Sequence, residues 1–249
     1  MEGSTTNAVG PMTNLESQRF LIGCSLGDGC LSRCKRSGSI TLHIQRKKQH
    51  LAYAIWQLEK LNAILGTKAT LKCFTDKGKY PAVRFGVTSK KILTPVYNLL
   101  YPNGKKLFSP NVLDGLGLQE LALFWMDDGS LEVRKRIKPT GTIKIERSAW
   151  LAVCEDEQRT DCVGNWIQSL TGSRYTKVRH VSGSYYLRWH SQQCKNLIEQ
   201  IQPYMLPCLG YKTDLNRTGT VSEWLSESKL QIPEMDDKAT RVPRTLINK

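Results

Sequence analysis

Two aspartates follow mainly apolar stretches of the chain, and each directly precedes a glycine. Asp28 ends a stretch that starts at residue 21 and Asp128 ends one that starts at residue 121, so the two Asp-Gly pairs lie 100 residues apart. A glycine just past a helix end is an ordinary C-cap, but a carboxylate there faces the negative end of the helix dipole and costs about 0.3–1 kcal/mol. A plain turn would explain one such pair. Two pairs at equivalent positions indicate that something positive binds there, and a divalent cation fits.

The elements that would position these aspartates follow from hydrophobic periodicity. Apolar residues every three or four positions predict helices over 15–27, 48–65, 89–100, 116–127, 156–170 and 191–205. Alternating apolar and polar residues predict strands around 40–45, 69–73, 83–88, 143–146 and 185–190. Each strand has one apolar face and one polar, often basic, face, which is typical of a half-buried antiparallel sheet. The order αββαββα is therefore predicted twice.

An internal duplication is supported by residue spacing. The apolar positions 92, 93, 96, 99 and 100 recur at 197, 198, 201, 204 and 205, with an offset of 105, and Pro102 maps onto Pro207 with the same offset. Amphipathic helices share such patterns by chance, but the proline and Asp-Gly matches add independent support. We therefore expect two related halves.

The charge of the chain favours a polyanionic partner. Lysine and arginine number 36 against 22 acidic residues, for a net charge of +14 and a pI near 9.5. The cationic residues occur in small groups and not on one amphipathic helix, which favours nucleic acid over an anionic membrane surface. No apolar run approaches the roughly 18–20 residues of a membrane span, so the composition excludes a transmembrane protein.

Cysteine spacing and the N-terminal sequence bear on metal binding and compartment. The eight cysteines include no C-x2-C pair and no His pair that would complete a zinc site, so we expect neither disulfides nor a structural metal. The first residues show no secretory signal. The expectation is an intracellular protein, in an organelle such as a mitochondrion or chloroplast or in bacterial or phage cytoplasm.

Segments 21–29 and 121–129 resemble the paired nine-residue motifs of the LAGLIDADG homing endonuclease family in its single-chain form. The resemblance extends over about 15–213 and includes the ending Gly210-Tyr211-Lys212. It implies an α+β fold in which tandem αββαββα repeats form a pseudo-twofold saddle with two antiparallel DNA-binding β-sheets. The expected division is an N-terminal tail (1–13), a first repeat (14–113), a second repeat (114–215) and a C-terminal tail (216–249).

The resemblance also implies how the two motif helices pack. In the family these helices lie side by side, and Gly23 and Gly27 would allow a close approach. The second motif departs from the pattern because Leu123 and Asp127 occupy its small-residue positions. We therefore expect asymmetric packing, with Asp127 as a possible alternative to its neighbour Asp128.

The family places an acid, and beside it a basic residue, at the end of each motif helix. By this resemblance Asp28 and Asp128 are the catalytic metal ligands. Lys106 and Lys212 are the adjacent basic residues of the catalytic site, which would offset negative charge or orient water, with Lys105 as an alternative to Lys106. Gln45 is a candidate water-holding residue, although an exposed or DNA-facing role is equally consistent with its position. Oxygen ligands suit Mg²⁺, and Mn²⁺ is expected to substitute for it.

The polar strand faces are the expected DNA-binding surface, covering about two helical turns, on the order of 20 bp. Residues on these faces that could read base edges are Thr41, His43, Arg84, Lys144, Tyr186, Arg188 and His190. Residues expected in loops, where they would contact phosphates, are Lys35, Arg36, Lys77, Lys79, Arg134 and Lys135.

The implied function is site-specific, Mg²⁺-dependent cleavage of both strands of a long asymmetric DNA target by a monomeric, intron-encoded enzyme without a membrane partner. The alternative is an RNA maturase that binds its host intron RNA. A pure maturase need not keep both acids, and this chain has both. An intein is not expected, because the ends of the chain lack the residues of protein splicing.

Overall fold

The computed structural model describes residues 14–76 and 79–227. The predicted tail 1–13, the phosphate contact Lys77 and the end of the second tail, 228–249, lie outside these described residues. The elements of the first half are α1 (Asn14–Leu26), β1 (Cys30–Arg33), β2 (Ile40–Lys47), α2 (Leu51–Leu65), β3 (Lys72–Asp76), β4 (Tyr80–Thr88), α3 (Lys90–Leu100) and the short linking helix α4 (Pro110–Leu113).

The second half repeats the order of the first. Its elements are α5 (Leu118–Asp128), β5 (Gly129–Ile137), β6 (Ile143–Glu155), α6 (Glu157–Thr171), β7 (Thr176–Arg179), β8 (Tyr185–His190) and α7 (Ser191–Ile201). Short 3₁₀ turns follow at 202–204 and 207–212, and α8 (Val221–Glu227) lies in the predicted C-terminal tail. The elements fall on either side of the predicted boundary at 113/114, and the boundaries themselves stay a prediction.

Each half contains a four-stranded antiparallel sheet, with strand order β1-β2-β4-β3 in the first and β5-β6-β8-β7 in the second. Equivalent strands occupy equivalent places, so the α+β fold with two antiparallel sheets is confirmed. In β2 the residues Leu42 and Ile44 are buried while Thr41, His43 and Gln45 point to the opposite face. One face of each sheet therefore packs on helices and the other carries polar side chains.

The hairpin formed by β5 and β6 departs from the predicted burial. Ile137 and Ile143 pair across the two strands but are 73% and 61% exposed. The buried residues of β6 are Ser148, Ala149, Leu151 and Val153, toward its other end. The prediction that Ile143 lies on a half-buried face is therefore wrong, because β6 is 13 residues long and only its later part joins the core.

The C-terminal segment packs on the body through polar as well as apolar groups. The Trp224 indole donates a hydrogen bond to the Asp214 carboxylate (2.7 Å), and its ring lies 5.8 Å from that of Tyr211. The Arg217 guanidinium is buried and donates to the carbonyl of Leu131 in β5. Among the described residues, no helix is long and apolar enough to cross a lipid bilayer.

Helices α1 and α5 pack directly against each other, and the contact is asymmetric as expected. A Cβ atom added to Gly23 would lie 2.8 Å from Leu123 Cδ1, and one added to Gly27 would overlap the Asp127 side chain. Glycines of the first motif thus leave room for larger side chains of the second. This close approach brings the C-terminal ends of both helices together.

We predict that Gly23→Ala lowers the free energy of unfolding by about 1–3 kcal/mol, because the methyl group overpacks the contact with Leu123. Alanine otherwise favours a helix over glycine by about 0.5–1 kcal/mol, so a loss of stability identifies the close packing. Urea denaturation of Gly23→Ala, Leu123→Ala and the double variant would measure the effect. The penalty of the added methyl should shrink when Leu123 is truncated, and strictly additive changes would contradict the contact.

Candidate active site and DNA interface

The negative ends of helices α1 and α5 are neutralised by lysine side chains. Lys106 Nζ donates to the carbonyls of Leu26 (3.2 Å) and Gly27 (2.8 Å) at the end of α1. Equivalently, Lys212 Nζ donates to the carbonyls of Met126 (2.8 Å) and Asp127 (3.0 Å) at the end of α5. Part of the positive charge that the dipole argument requires is therefore supplied by the protein.

Both lysines are largely buried close to the acids. Burial lowers the pKa of Lys212 to about 8, although the nearby carboxylates of Asp127 and Asp128 oppose the shift. Burial also lowers the pKa of Lys106, against the opposing effect of Asp128. The negative charge of Asp28 also acts on the pKa of both lysines. The structure therefore brings the predicted basic and acidic residues into one electrostatic cluster.

The two motif aspartates lie close enough to repel each other. Burial and the negative charges of Asp28 and Asp127 raise the pKa of Asp128 to about 7. Burial and Asp127 likewise raise the pKa of Asp28, while Arg46 acts in the opposite direction. A cation bound by both side chains would therefore reduce the repulsion between their negative charges.

Arg46 is a residue of this cluster that the sequence analysis did not identify. Its side chain is 1% exposed, and Nη1 lies 2.9 Å from Asp28 Oδ2 and 2.7 Å from Asp127 Oδ1. Nη2 donates to Gln57 Oε1 (2.9 Å), and the guanidinium lies 4.0 Å from the centre of the Tyr53 ring. Arg46 therefore links the acid of the first motif to a buried carboxylate of the second.

The Asp127 carboxylate is fully engaged by protein groups. Besides Arg46, its Oδ1 accepts a hydrogen bond from the Tyr53 hydroxyl (3.0 Å), and its Oδ2 accepts one from the backbone N–H of Asp28 (3.0 Å). With a side chain 1% exposed, Asp127 lies in the space left by Gly27. These contacts favour Asp128, and not Asp127, as the acid that is free to bind a ligand.

Gln45 lies on the other side of β2 from Arg46. It is exposed, pairs in register with Arg84, and makes no hydrogen bond with either motif aspartate. The strict alternation of β2 explains the difference, since Leu42, Ile44 and residue 46 share the buried face. In the alternating sequence of β2, Arg46 occupies a position where an apolar residue is expected. This signal could have identified the buried ion pair.

The second half has no counterpart of Arg46. Strand pairing sets Cys30 opposite His43 in the first sheet and Ser130 opposite Trp150 in the second. A β-bulge lies between Leu151 and Glu155, so Arg46 aligns with Val153 by counting along the strand and with Glu155 by pairing to β8. Neither residue is a cation. Accordingly, none of the described residues forms an ion pair with Asp128, and the two halves of the acidic site differ.

His50 links the two halves beside this site. Its Nε2 lies 3.3 Å from the hydroxyl of Tyr211, which precedes Lys212 in the second half. Burial, followed by the positive charges of Lys212 and Arg46, lowers the pKa of His50 to about 4. The imidazole is therefore neutral near pH 7 and adds no charge to the cluster.

The carboxylate set fits a hard cation that keeps water or phosphate ligands. Within residues 14–76 and 79–227, no group of three or more His, Cys, Asp and Glu side chains is arranged to hold a metal ion by itself. Asp28 and Asp128 would supply two oxygen-bearing groups, and Asp28 is 42% exposed despite its contact with Arg46. Mg²⁺ commonly binds through one or two carboxylates together with water and phosphate.

The candidate base-reading residues all lie on sheet faces opposite the core. This placement follows from the alternation of side chains along the strands of both sheets. The residues are Thr41, His43, Arg84, Lys144, Tyr186, Arg188 and His190. Thr41 and Thr88 are joined by a hydrogen bond of 2.9 Å, and the Arg84 guanidinium lies 4.7 Å from the centre of the Phe74 ring.

The predicted loop residues divide between turns and a strand. Lys35 and Arg36 are exposed in the turn between β1 and β2, and Lys79 is exposed in the turn before β4. Arg134 and Lys135 instead lie within β5, so their assignment to a loop is wrong. Because successive strand residues point to opposite faces, Lys135 does not share the polar face with Arg134.

The same architecture occurs in solved homing endonucleases. The structure of I-WcaI bound to its DNA recognition sequence matches with a TM-score of 0.67 and 16% identity, covering 85% of this chain and 94% of that one. The meganuclease I-SmaMI bound to uncleaveable DNA with a TTCT central four matches with a TM-score of 0.52 and 11% identity, covering 78% and 86%. At these identities the matches show a shared fold.

Sequence comparison shows the family. The model of the LAGLIDADG DNA endonuclease family matches residues 18–147, more than half of the chain, and the chain belongs to this family of DNA-cleaving enzymes. Protein RecA of Mycobacterium gastri is 27% identical over 202 residues. That alignment covers 78% of this chain but 46% of RecA, so the chain spans about half the length of this curated relative.

We predict that Arg46→Met lowers the free energy of unfolding by about 3–5 kcal/mol, because Asp127 is left buried without the cation that contacts it. The further change Asp127→Asn should recover most of this loss by removing the unpaired charge. Chemical denaturation measures both variants, with Arg134→Met as a control at an exposed ion pair, for which little change is expected. A double variant no more stable than Arg46→Met would refute the buried pair.

Proposed function

We propose that this protein is a site-specific, intron-encoded homing endonuclease that cuts both strands of a long asymmetric duplex. The observation that carries the proposal is the meeting of Asp28 and Asp128 at the ends of two contacting helices, each helix end also held by a lysine. Family membership supports DNA cleavage as the general activity. The homing endonuclease I-WcaI and the meganuclease I-SmaMI, which share the fold and were solved bound to DNA, support the more specific role.

Asp28 and Asp128 would hold Mg²⁺, with Mn²⁺ able to substitute. Bound divalent ions would supply an activated water and neutralise the charge of the scissile phosphates. Arg46 contacts Oδ2 of Asp28, which leaves Oδ1 without a partner among the described residues. The carboxylate is therefore oriented by the protein and still offers an oxygen to a ligand.

Lys106 and Lys212 would act as local positive charges beside the reacting phosphates. Their ammonium groups are fixed by backbone carbonyls of α1 and α5, so they need not reorganise as negative charge develops. Each lysine occupies its own half of the pseudo-symmetric site. This arrangement supports one cut in each strand, and hence a double-strand break. Lys105 is exposed, which favours Lys106 for this role.

The duplex would lie along the polar faces of the two sheets. Because one chain provides both sheets and both acids, we propose that a monomer binds a non-palindromic target. The net charge of +14 supports strong phosphate binding that weakens steeply as salt rises. An RNA-binding maturase role is the alternative on this fold, and it would leave the acid pair without a purpose.

We predict that Asp28→Asn and Asp128→Asn each abolish double-strand cleavage while leaving DNA binding largely intact, because affinity comes mainly from the sheets and phosphate contacts. A supercoiled plasmid that carries the intronless insertion site would report nicking and linearisation, and fluorescence anisotropy would report binding. Ser37→Ala, in the exposed β1–β2 turn, serves as a neutral control. Near-normal linearisation by either aspartate variant would refute the site, whereas intron RNA binding without cleavage by the unmodified protein would favour the maturase role.

We predict that Mg²⁺ or Mn²⁺ supports cleavage and that EDTA abolishes it, because the acid pair needs a cation to bind phosphate oxygens. Ca²⁺ should support complex formation with little cutting, since it accepts oxygen ligands but activates water poorly. Gel analysis of cleavage and anisotropy in matched buffers would separate the two effects. Robust cleavage in EDTA would contradict a metal-dependent mechanism.

A further inference from the structure

The polar faces of the two sheets differ at structurally equivalent places. Ser32 pairs with Thr41 in the first sheet as Glu132 pairs with Ser148 in the second. By the same registers, His43 in the first sheet corresponds to Trp150 in the second. The residue paired with His43 is Gly86, and the residue paired with Trp150 is Arg188, so Gly86 corresponds to Arg188. Every one of these positions lies on the face proposed to contact DNA.

In the first half this place holds serine, threonine, histidine and glycine residues. Ser32 Oγ and His43 Nε2 are 2.9 Å apart, and Thr41 bonds Thr88. Gly86 has no side chain, and a Cβ added there would contact His43 and Thr41 at 3.3 Å. This part of the first sheet therefore presents no arginine and no carboxylate.

In the second half the same place holds a charged network around Glu132. Its Oε2 accepts hydrogen bonds from Ser148 Oγ (2.9 Å) and Trp150 Nε1 (3.2 Å), and its Oε1 accepts one from Arg134 Nε (2.8 Å). Although partial burial opposes it, these hydrogen bonds hold the pKa of Glu132 below its ordinary value. The carboxylate is therefore ionised and is the centre of the network.

Arg188 is held on two sides by this network. Its Nη2 lies 3.7 Å from Glu132 Oε2 and 3.4 Å from Ser148 Oγ, and its guanidinium lies 4.2 Å from the centre of the Trp150 ring. Its Nη1 has no polar partner among the described residues, and its side chain is 23% exposed. A guanidinium fixed in this way has donors available without first losing side-chain freedom.

We infer that Glu132 is a specificity-determining positioning residue, which with Trp150 fixes Arg188 to read a guanine in the half-site under the second sheet. Arginine donating to guanine O6 and N7 is the commonest specific major-groove contact. The inference rests on the proposed DNA-cleaving function and adds a base preference to it. Because Gly86 stands in place of Arg188, the first half-site lacks the equivalent guanine contact.

Neutralising Glu132 should change sequence-independent and base-specific DNA binding in opposite directions, which distinguishes a positioning role from a purely structural one. A carboxylate on a DNA-facing surface repels phosphates, so its neutralisation strengthens sequence-independent binding. The same neutralisation releases Arg188 and weakens base discrimination. A residue that only stabilised the fold would change both kinds of binding in the same direction.

The test is selection of bound DNA from a duplex library with randomised positions, in Ca²⁺ to suppress cutting. The unmodified protein should select an asymmetric consensus with a guanine that Arg188→Ala loses, by roughly 5- to 150-fold in preference. Glu132→Gln should weaken preference for that same guanine by roughly 2- to 10-fold, while its affinity for unselected DNA rises. Arg84→Ala, on the first sheet, is the matched control and should alter the other half-site.

The outcomes separate this inference from the proposed function. If the unmodified protein selects no consensus, the proposed site-specific activity fails and the inference fails with it. If a consensus appears but Arg188→Ala or Glu132→Gln leaves every base preference unchanged, the inference alone is overturned. Trp150→Phe provides a second variant should Glu132→Gln unfold. Phenylalanine keeps an aromatic ring at this position but lacks the indole N–H that donates to Glu132. It should weaken the same guanine preference, and an unchanged preference would overturn the inference.

Discussion

The close approach of helices α1 and α5 at Gly27 and Asp127 is the constraint on which the rest of the site depends. Because glycine leaves room at this point, the Asp127 carboxylate reaches across to the backbone N–H of Asp28 and to Arg46. The contact joins the two repeats where their helices end. Any increase in this spacing would separate Asp28 from Asp128 and break the buried ion pair at the same time.

Charge compensation then decides how three carboxylates share one small region. Asp127 is neutralised by Arg46 and is hydrogen-bonded on both oxygens, so it acts as part of the structure. Asp128 has no ion pair among the described residues, and burial, followed by the negative charges of Asp28 and Asp127, raises its pKa. Lys106 and Lys212 neutralise the helix ends without occupying the acids. What remains is a pair of carboxylates, Asp28 and Asp128, that still have oxygens available to an added cation.

The sequence predicted the parts of this arrangement that repeat. Helices and sheet faces followed from periodicity and from spacing within the duplicated halves, whereas Lys106 and Lys212 were implied by the family resemblance. Arg46 was missed because its partners are distant in the chain. The role of Gln45, which lines one cavity together with Asp28, stays a prediction. The length of the β5–β6 hairpin was missed because alternation in a strand does not show how far the packing helices extend over it.

Divergence between the halves has a different physical character at the core and at the surface. In the core, Arg46 opposite Asp127 must change together with its partner, since one charge alone would be buried unpaired. On the polar face, the hydrogen-bonded pair of Ser32 and His43 and the charged network around Glu132 lie at the surface, where single changes cost less stability. The duplicated fold therefore restrains changes near the acids and leaves more freedom on the sheet faces. Under the proposed function, this difference in cost would allow the target preference to change while the acid pair and its helix contact are retained.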